Sequence, residues 1–256
     1  MSLCLHARRL TEAGFRHGFT LRQGGVSAPP FDALNLARNV GDDPRAVAEN
    51  HRLLAAELGY SPEALFELSQ VHGAETWCAE AQVPAESFRA REGDALLALE
   101  RGQAVGIRVA DCVPVLLADP ISGAVGAIHA GWRGVVADIV PRAVRRLMEA
   151  CGGQAGQLLA AIGPHIGPGA FEIGPEVAEA LRGAIPEDAH VVLERAPRPH
   201  ADLGRAVRAQ LLRAGLSAAR VETVGGCTYA DPQRFFSFRR DGARSGRHLA
   251  VIVAGC

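Results

Sequence analysis

Three residues of the kinds that bind metal ions each lie at or near the end of an apolar segment in this 256-residue chain. They are His72 in SQVHG, Cys112 in ADCVP and His129 in IHAGWRG, separated by 40 and 17 residues. Strand ends are positions at which a rigid scaffold presents functional groups to a cleft. We therefore expect these side chains to converge in the folded protein although they are far apart in sequence.

Two imidazoles and one thiolate suit Zn²⁺ well, and three protein ligands leave the fourth tetrahedral position for water or substrate. An open position is typical of catalytic rather than structural zinc, and a water molecule on the ion has its pKa lowered toward ~7. The sequence therefore predicts a catalytic zinc site, in which His72, Cys112 and His129 are both the metal ligands and the catalytic residues.

The same residues allow other interpretations. Taken singly, a cysteine or histidine in an apolar segment is more often a packed or hydrogen-bonded core residue. Cys112 and His129 could instead be a nucleophile and its base, oriented by Asp111 or His72. Copper is the less favoured alternative metal, because a Cys/His set also suits it. A non-enzymatic, closed metal site would need a fourth protein ligand, and no further Cys or His segment has comparable character.

The elements that must position these residues follow from hydrophobic periodicity. Predicted strands, the fourth interrupted at Pro114, are residues 14–22, FELSQVHG, GDALLAL, VGIRVADCVPVLLAD, AVGAIHA, QLLAAIGPHIGP, RVETV and HLAVIVAG. Predicted helices are 44–58, 134–150 with a kink at Pro141, 175–184 and 202–214. Strands and helices mix without strict βαβ alternation, so we expect an α/β fold of the α+β type: a single layered domain over residues 1–256 with a mixed β-sheet.

Composition excludes several classes of protein. The net charge of −1 and pI of about 6.8 give no reason to expect nucleic-acid or membrane binding. No apolar run reaches the roughly 18–20 residues of a membrane span, and MSLCLHARRL lacks the features of a secretory signal, so we expect a cytoplasmic protein. All 27 basic residues are arginine, which excludes lysine-dependent chemistry such as Schiff bases and a Walker A P-loop.

Beyond single residues, eight segments in order make the chain resemble the bacterial YfiH/YlmD-type proteins of the multicopper polyphenol oxidase (laccase-like) family. Members of that family are also described as purine nucleoside phosphorylases and as peptidoglycan editing factors. The matching segments are HGFTLRQGGVS, LNLARNVGDDPRAVAENHRLL, LSQVHG, GDALL, ADCVPVLLAD, AIHAGWRG, IGPHIGPGAFEIG and CTYADPQRFFSFRRDGARSGR.

The resemblance implies zinc on His72, Cys112 and His129 and a layered fold related to the cytotoxic necrotizing factor catalytic domain. It further implies phosphorolysis of adenosine, inosine and 5′-methylthioadenosine, together with deamination of adenosine. Purine nucleoside and phosphate are then the small-molecule partners, and the oligomeric state stays open. An alternative is a cysteine or zinc hydrolase that edits peptidoglycan precursors. Copper-dependent polyphenol oxidation is less favoured, because the chain lacks cupredoxin repeats and His-X-His pairs.

Candidate substrate-binding residues surround these segments. Arginine is suited to phosphate because its planar fork matches phosphate oxygens bidentately. Arg22, beside the Gly24–Gly25 loop, is the first candidate, with Ser27 and Asn35 as polar neighbours. Arg133 is placed at the start of a predicted helix, where the dipole favours anions, although it could equally pair with a carboxylate.

Two acidic residues and one aromatic run complete the candidates. Asp111 neighbours the thiolate and could orient a metal-bound histidine through a hydrogen bond. Glu172, where the family often has Cys-Tyr-Glu-Val and this chain has Ala-Phe-Glu-Ile, could shuttle a proton. The FFSFRR run at 235–240 is interpreted as one strand that buries phenylalanine on one face, not as a nucleic-acid site.

Overall fold

Thirteen strands and seven α-helices are present in a computed structural model, which describes residues 2–255. The strands are β1 (Cys4–Leu5), β2 (His17–Thr20), β3 (Leu65–Phe66), β4 (Thr76–Cys78), β5 (Ala95–Ala98), β6 (Ala104–Val109), β7 (Val113–Ala118), β8 (Val125–Ala130), β9 (Leu159–Ile162), β10 (Val192–Leu193), β11 (His200–Ala201), β12 (Val221–Thr223) and β13 (His248–Val253). The helices are α1 (Arg8–Glu12), α2 (Pro44–Leu58), α3 (Trp132–Val136), α4 (Ile139–Cys151), α5 (Pro175–Ala184), α6 (Leu203–Arg213) and α7 (Phe238–Asp241).

The strands form two mixed sheets and one short hairpin, β10–β11. The first sheet has the order β1-β2-β13-β6-β3, and its central strand β13 is antiparallel to both β2 and β6. The second has the order β12-β9-β7-β8-β5-β4, built around the antiparallel pair β7–β8. The predicted α/β class is confirmed, with two mixed sheets in place of the one expected. That residues 1–256 form a single domain stays a prediction.

Side-chain alternation along the strands produces four layers. Ile107 and Ile252 of the first sheet pack with Leu116 of the second in one buried cluster between the sheets. On the outer face of the first sheet, Val251 packs with Leu54 of α2. The outer face of the second sheet packs against α4, α5 and α6. Strands buried on both faces account for the near-continuous apolar runs in the sequence.

The predicted helix 44–58 is confirmed, as is 175–184, and 202–214 is observed as Leu203–Arg213. Asp43 caps α2 by accepting a hydrogen bond from the amide of Arg45 at 2.9 Å. Gly59, with φ of 68°, closes that helix in the left-handed conformation that favours glycine. Among residues 2–255, the structure contains no helix whose length and apolarity would let it cross a bilayer.

One helix prediction and one strand prediction were wrong. Residues 134–150 are not one kinked helix, because the chain breaks at Asp138, whose φ is 59°, between α3 and α4. Pro141 lies in the first turn of α4, where a missing amide proton disrupts nothing. The FFSFRR run is not a strand: Phe235 and Phe236 are fully buried, and α7 begins at Phe238.

The strand predictions near His72 and Cys112 were too long, whereas the one that contains His129 agrees with β8. Only Phe66 of FELSQVHG belongs to a strand, at the end of β3, before a loop leads to the histidine. The predicted strand across VGIRVADCVPVLLAD is two strands, β6 and β7, which belong to different sheets. The break is at residues 110–112, where Asp111 has φ of 94°, while Pro114 lies inside β7 opposite His129. This break turns the chain at the position where the cysteine is presented.

Candidate metal and substrate site

The side chains of His72, Cys112 and His129 come together in the structure, and their ligand atoms all lie within 4.8 Å of one another. Cys112 immediately precedes β7, and His129 lies in the neighbouring strand β8, so the antiparallel pairing brings them together. His72 arrives from the loop after β3, with its Nε2 3.9 Å from the Cys112 sulfur. Its φ of 59° turns the loop toward the sheet edge.

Gly131 makes this close approach possible. A Cβ at that position would lie 2.9 Å from Cδ2 of His72 and 3.2 Å from the Cys112 sulfur. The first distance is shorter than real Cβ contacts allow. Glycine is the residue that leaves room where side chains or ligands approach the backbone closely. The G of the HAGWRG segment therefore shapes the site directly.

A buried carboxylate, Asp94, connects the side chain of His129 with the backbone of His72. Its Oδ1 accepts hydrogen bonds from Nδ1 of His129 at 2.7 Å and from the amide of His72 at 3.0 Å. Its Oδ2 accepts from the amide of Gly73 at 2.7 Å. Burial alone would raise the pKa of Asp94, but these hydrogen bonds lower it below its usual value. The sequence analysis gave Asp94 no role, although the residue lies in the GDALL segment before β5.

The electrostatics of the cluster favour an ionised thiol. Burial opposes the charge on Cys112, but the positive charge of His129 and the hydrogen bonds from both histidines outweigh it and lower the pKa of the thiol to about 6. Burial likewise opposes protonation of His129, but the Cys112 thiolate and Asp94 raise the pKa of His129 to about 9. Without a metal, the pair is therefore a thiolate beside an imidazolium.

The donor set fits a zinc ion. The thiolate and the Nε2 atoms of the two histidines are the ligand types of catalytic zinc sites with three protein ligands. Because Nδ1 of His129 is bonded to the Asp94 carboxylate, its Nε2 is left for the ion. A carboxylate behind a metal-bound histidine fixes the ring orientation and raises ligand basicity. His72, Cys112 and His129 are thus the residues that would hold a metal.

Asp111 is oriented differently from the sequence prediction. Its carboxylate accepts hydrogen bonds from the hydroxyl of Thr228 and the amide of Arg239, both at 2.6 Å. Neither of the metal-site histidines is a hydrogen-bond partner of Asp111 in the described chain. The residue that orients a histidine ligand is Asp94, and Asp111 instead fastens the segment around residues 228–239 beside Cys112.

The three-residue cluster lies on the wall of a cavity of about 440 Å³, a size typical of small-molecule sites. Of the predicted site residues, Asp111 and Arg133 also line it. The lining further contains polar, basic and aromatic residues that were not among the predicted site residues: Asn39, Ser69, Gln70, Arg108, Arg239, Arg247, Trp132, Phe171 and Phe238. The cavity thus joins metal ligands, positive charge and flat apolar surfaces.

Arg133 and Glu172 have distinct positions at this cavity. The guanidinium of Arg133 lies over the ring of Trp132, 4.4 Å from its centroid, and forms no ion pair within the described chain. Glu172 does not line the cavity: its carboxylate lies 3.6 Å from Nε of Arg198, and its carbonyl accepts a hydrogen bond from Arg239. Its neighbour Phe171 is the lining residue, so Glu172 is at the rim.

The remaining predicted substrate-binding residues, Arg22, Ser27 and Asn35, are absent from the cavity lining. Arg22 binds the carbonyl and carboxylate of Asp32, at 2.6 and 3.1 Å. Ser27 and Asn35 are buried and both donate to Oδ2 of Asp42, at 2.7 and 2.8 Å. In this structure their polar groups hold the loop between β2 and α2 in place, and a role for them in substrate binding stays a prediction.

Comparison with known proteins agrees with this architecture. A family model described as "Multi-copper polyphenol oxidoreductase laccase" matches residues 16–255. A Deinococcus radiodurans protein named purine nucleoside phosphorylase is 44% identical over 92% of this chain and 88% of its own length. The crystal structure of YlmD from Geobacillus stearothermophilus superposes with a TM-score of 0.90 at 32% identity, covering 99% of both chains.

A second solved structure, the hypothetical protein YfiH from Bacillus licheniformis, gives a TM-score of 0.88 at 28% identity. It covers 93% of this chain and 92% of its own. The resemblance based on the eight sequence segments is thereby confirmed. The chain belongs to the YfiH family, whose family model carries the description multi-copper polyphenol oxidoreductase laccase.

Proposed function

We propose that this protein is a cytoplasmic, zinc-dependent purine nucleoside phosphorylase that acts on adenosine, inosine and 5′-methylthioadenosine and also deaminates adenosine. The observation that carries the proposal is the cluster of His72, Cys112 and His129 on the wall of a cavity lined by arginines and aromatic rings. The name of the Deinococcus radiodurans relative, which is similar along most of its length, supports the same activity.

The chemistry of the cavity matches both substrates of a phosphorylase. The rings of Trp132, Phe171 and Phe238 provide flat surfaces of the kind on which a purine stacks. The lining arginines supply the positive charge and planar donors that phosphate requires. In the reaction, the C1′–N9 bond breaks with its electron pair on the purine, which takes up a proton, while a phosphate oxygen forms the new bond to C1′.

Two imidazoles and a thiolate would hold Zn²⁺, which when bound supplies a Lewis acid at the cavity wall. Asp94 fixes the orientation of His129 and the backbone position of His72, so the ligands are organised before the metal arrives. In deamination, water adds to C6 of adenine and ammonia leaves. Both reactions use the same cavity, whose aromatic residues would position the purine.

A second candidate is a cysteine hydrolase that edits peptidoglycan precursors. The observation in its favour is the thiolate of Cys112 beside the imidazolium of His129, which Asp94 orients in turn. A nucleophile, a base and an orienting carboxylate are the arrangement of cysteine hydrolases. Such an enzyme would form a covalent adduct on Cys112, and bound zinc would prevent it. Copper-dependent polyphenol oxidation would instead need copper on the same three ligands.

The deciding experiment measures hypoxanthine release from inosine by purified protein, with and without phosphate. Cys112→Ala should abolish the activity, whereas Cys151→Ala, remote from the cavity, should retain it. Phosphate-dependent release by the wild type, lost in Cys112→Ala, supports the phosphorylase. No base release by the zinc-loaded wild type would refute it and make muropeptide precursors the next substrates to test.

Metal analysis of the same preparation tests the cofactor. We expect close to one zinc per chain and loss of activity on chelation, with recovery when zinc is added back. A zinc content below about half an equivalent, with activity that survives chelation, would refute the zinc proposal. Stoichiometric copper with oxidation of phenols would support the polyphenol oxidase instead.

A further inference from the structure

Two of the lining arginines, Arg108 and Arg247, lie on the same face of the first sheet. In the antiparallel pair β6–β13, Arg108 is opposite Leu249, and Arg247 precedes Leu249 by two residues. Residues two apart on a strand point to the same side, and such diagonal neighbours are about 7–8 Å apart, within reach of long side chains. Arg108 and Arg247 therefore place two neighbouring positive charges in the lining of the cavity that also contains Cys112.

Arg247 is held in a way that leaves part of its guanidinium free. Its Nη1 donates to the carbonyls of Ser245 and Gly246, at 2.7 and 3.0 Å. Its backbone amide donates to Oδ1 of Asn35 at 2.9 Å. Within residues 2–255, neither Nε nor Nη2 of Arg247 has a hydrogen-bond partner or an ion-pair partner. A fixed guanidinium with a free donor edge is suited to bidentate binding of an oxyanion.

Arg108 is held by a buried carboxylate that does not cancel the local charge. Nη2 of Arg108 donates to the carbonyl of Leu68 at 2.7 Å, and Nη1 lies 3.6 Å from Oε1 of Glu67. Glu67 is only 1% exposed and also faces Arg38 and Arg89, at 3.6 and 3.8 Å. One carboxylate thus serves three guanidinium groups. The cluster of these three arginines and Glu67 therefore keeps a net positive charge, and Arg108 presents it to the cavity.

The cavity lining contains two further arginines, Arg133 and Arg239, and one carboxylate, Asp111. Arg239 donates to the carbonyl of Glu172 and lies over the ring of Phe171, while Arg133 lies over Trp132. The carboxylate of Asp111 already accepts from Thr228 and from the amide of Arg239. Arg247 likewise lies over the ring of Phe238, 5.2 Å from its centroid. Within residues 2–255, Arg133, Arg239 and Arg247 all lack an ion-pair partner, so Arg108 and Arg247 are distinguished by the adjacency of their positions on the sheet.

We propose that Arg108 and Arg247 form the binding site for inorganic phosphate in this cavity, with Glu67 as the residue that positions Arg108. This inference rests on the proposed function, in which phosphate is the second substrate, and assigns the side chains that bind it. Phosphate carries negative charge on several oxygens, and two adjacent guanidinium groups match that charge and geometry better than one. The purine would then occupy the aromatic part of the same cavity.

The test is direct titration of inorganic phosphate into the zinc-loaded protein by calorimetry in a phosphate-free buffer. Arg247→Gln and Arg108→Gln should each weaken phosphate binding by about tenfold or more, the effect of losing a charge-assisted hydrogen bond. Arg142→Gln, on the solvent-exposed side of α4, is the matched control and should bind as the wild type does. Thermal unfolding of each variant verifies that it is folded.

Steady-state kinetics distinguish a role of Glu67 in positioning Arg108 from a role in the stability of the fold alone. Glu67→Gln should raise the KM for phosphate by about threefold or more, with the KM for inosine and the kcat at saturating phosphate unchanged, and Glu67→Asp should restore part of the loss. A purely structural role would lower the amount of active enzyme without changing the KM for phosphate. An equal rise of both KM values would overturn the positioning role.

The possible outcomes distinguish this site from the proposed function. Phosphorolysis with an unaltered KM for phosphate in both arginine variants would overturn the site and leave the phosphorylase standing. Phosphate binding that depends on Arg247, without any release of base from nucleosides, would support the site and refute the phosphorylase. A wild-type protein that does not bind phosphate at millimolar concentration would overturn the site.

Discussion

Asp94 accepts a hydrogen bond of 2.7 Å from Nδ1 of His129, and both side chains are buried. Through the amide of His72, the same carboxylate also positions a second ligand from a distant part of the chain. One residue that never contacts the ion thus sets the positions of two groups that would. Asp94 therefore holds two of the three metal-binding residues in position without being a ligand itself.

Replacement of this carboxylate should weaken metal binding. We expect Asp94→Asn to lower zinc affinity by about 10–100-fold. The amide oxygen of asparagine is a weaker acceptor for the imidazole than a carboxylate oxygen is, and the amide nitrogen cannot accept a hydrogen bond. Competition with a chromogenic chelator measures the affinity. Asp119→Asn, a buried aspartate in the turn between β7 and β8, is the control and should retain wild-type affinity. Equal affinities for the wild type and Asp94→Asn would contradict this role.

The lack of a side chain at Gly131 should be essential for the metal site. Gly131→Ala places a Cβ 2.9 Å from His72 and 3.2 Å from the sulfur of Cys112, so the ligands must separate. We expect the purified variant to contain little zinc while remaining folded, as judged by circular dichroism. Gly169→Ala, whose Cβ would contact nothing within 4 Å, should contain as much zinc as the wild type. Full zinc occupancy of Gly131→Ala would show that the site tolerates the methyl group.

The metal-free protein should have an unusually reactive thiol. The pKa of Cys112 is lowered to about 6, whereas burial raises the pKa of Cys78. Because the thiolate is the nucleophile, the rate of alkylation of Cys112 by iodoacetamide should rise with pH through a midpoint near 6. Mass spectrometry after brief exposure identifies the modified residue, with Cys112→Ser as the control and zinc-loaded protein protected. A midpoint near the ordinary thiol value of about 8.5 would contradict the electrostatics described for the pair.

A buried histidine should make the protein sensitive to acid. Burial lowers the pKa of His248 to about 3, and its Nε2 accepts a hydrogen bond from the amide of Phe236 that protonation would break. Between pH 6.5 and 3 the unfolded chain therefore binds a proton that the folded protein does not. Stability contributed by this residue is present above pH 6.5 and is lost as the pH falls. The loss amounts to about 2 kcal/mol at pH 5.

The corresponding experiment compares urea unfolding at pH 7 and pH 5. His248→Gln, whose amide oxygen can still accept from Phe236, should lose less stability between the two values than the wild type does. His190→Gln, at an exposed position, should show the wild-type dependence. If His248→Gln and the wild type lost the same amount, another group would be responsible for the acid sensitivity.

The three metal ligands could be predicted from the sequence, whereas the residue that orients two of them could not. His72, Cys112 and His129 could be proposed from sequence because soft ligands at the ends of apolar segments are unusual. Asp94 could not, because an aspartate before an apolar strand is also an ordinary strand boundary, and its partners depend on the pairing of β5 with β8.

The arginines show the same limit. Arg22 was the first candidate for phosphate because it adjoins a glycine-rich loop, but the structure packs it against Asp32 and Phe236. Arg108 and Arg247 were not proposed because their proximity results from the register of β6 and β13, strands separated by more than a hundred residues. Local patterns such as the Asp43 cap of α2 were predictable, whereas long-range register was not.

The central place of β13 in the first sheet has a consequence for synthesis of the protein. Strands β2 and β6 both pair with β13, which follows every other strand of the described residues along the chain. At about 5–20 residues per second, roughly 6–24 s separate the emergence of His129 from that of β13. During that interval the nascent chain carries its metal ligands, but the edge of β6 that will pair with β13 is exposed, and exposed strand edges are prone to aggregation. A chain terminated before residue 247 would possess the three metal ligands but lack Arg247 and the strand that joins β2 to β6.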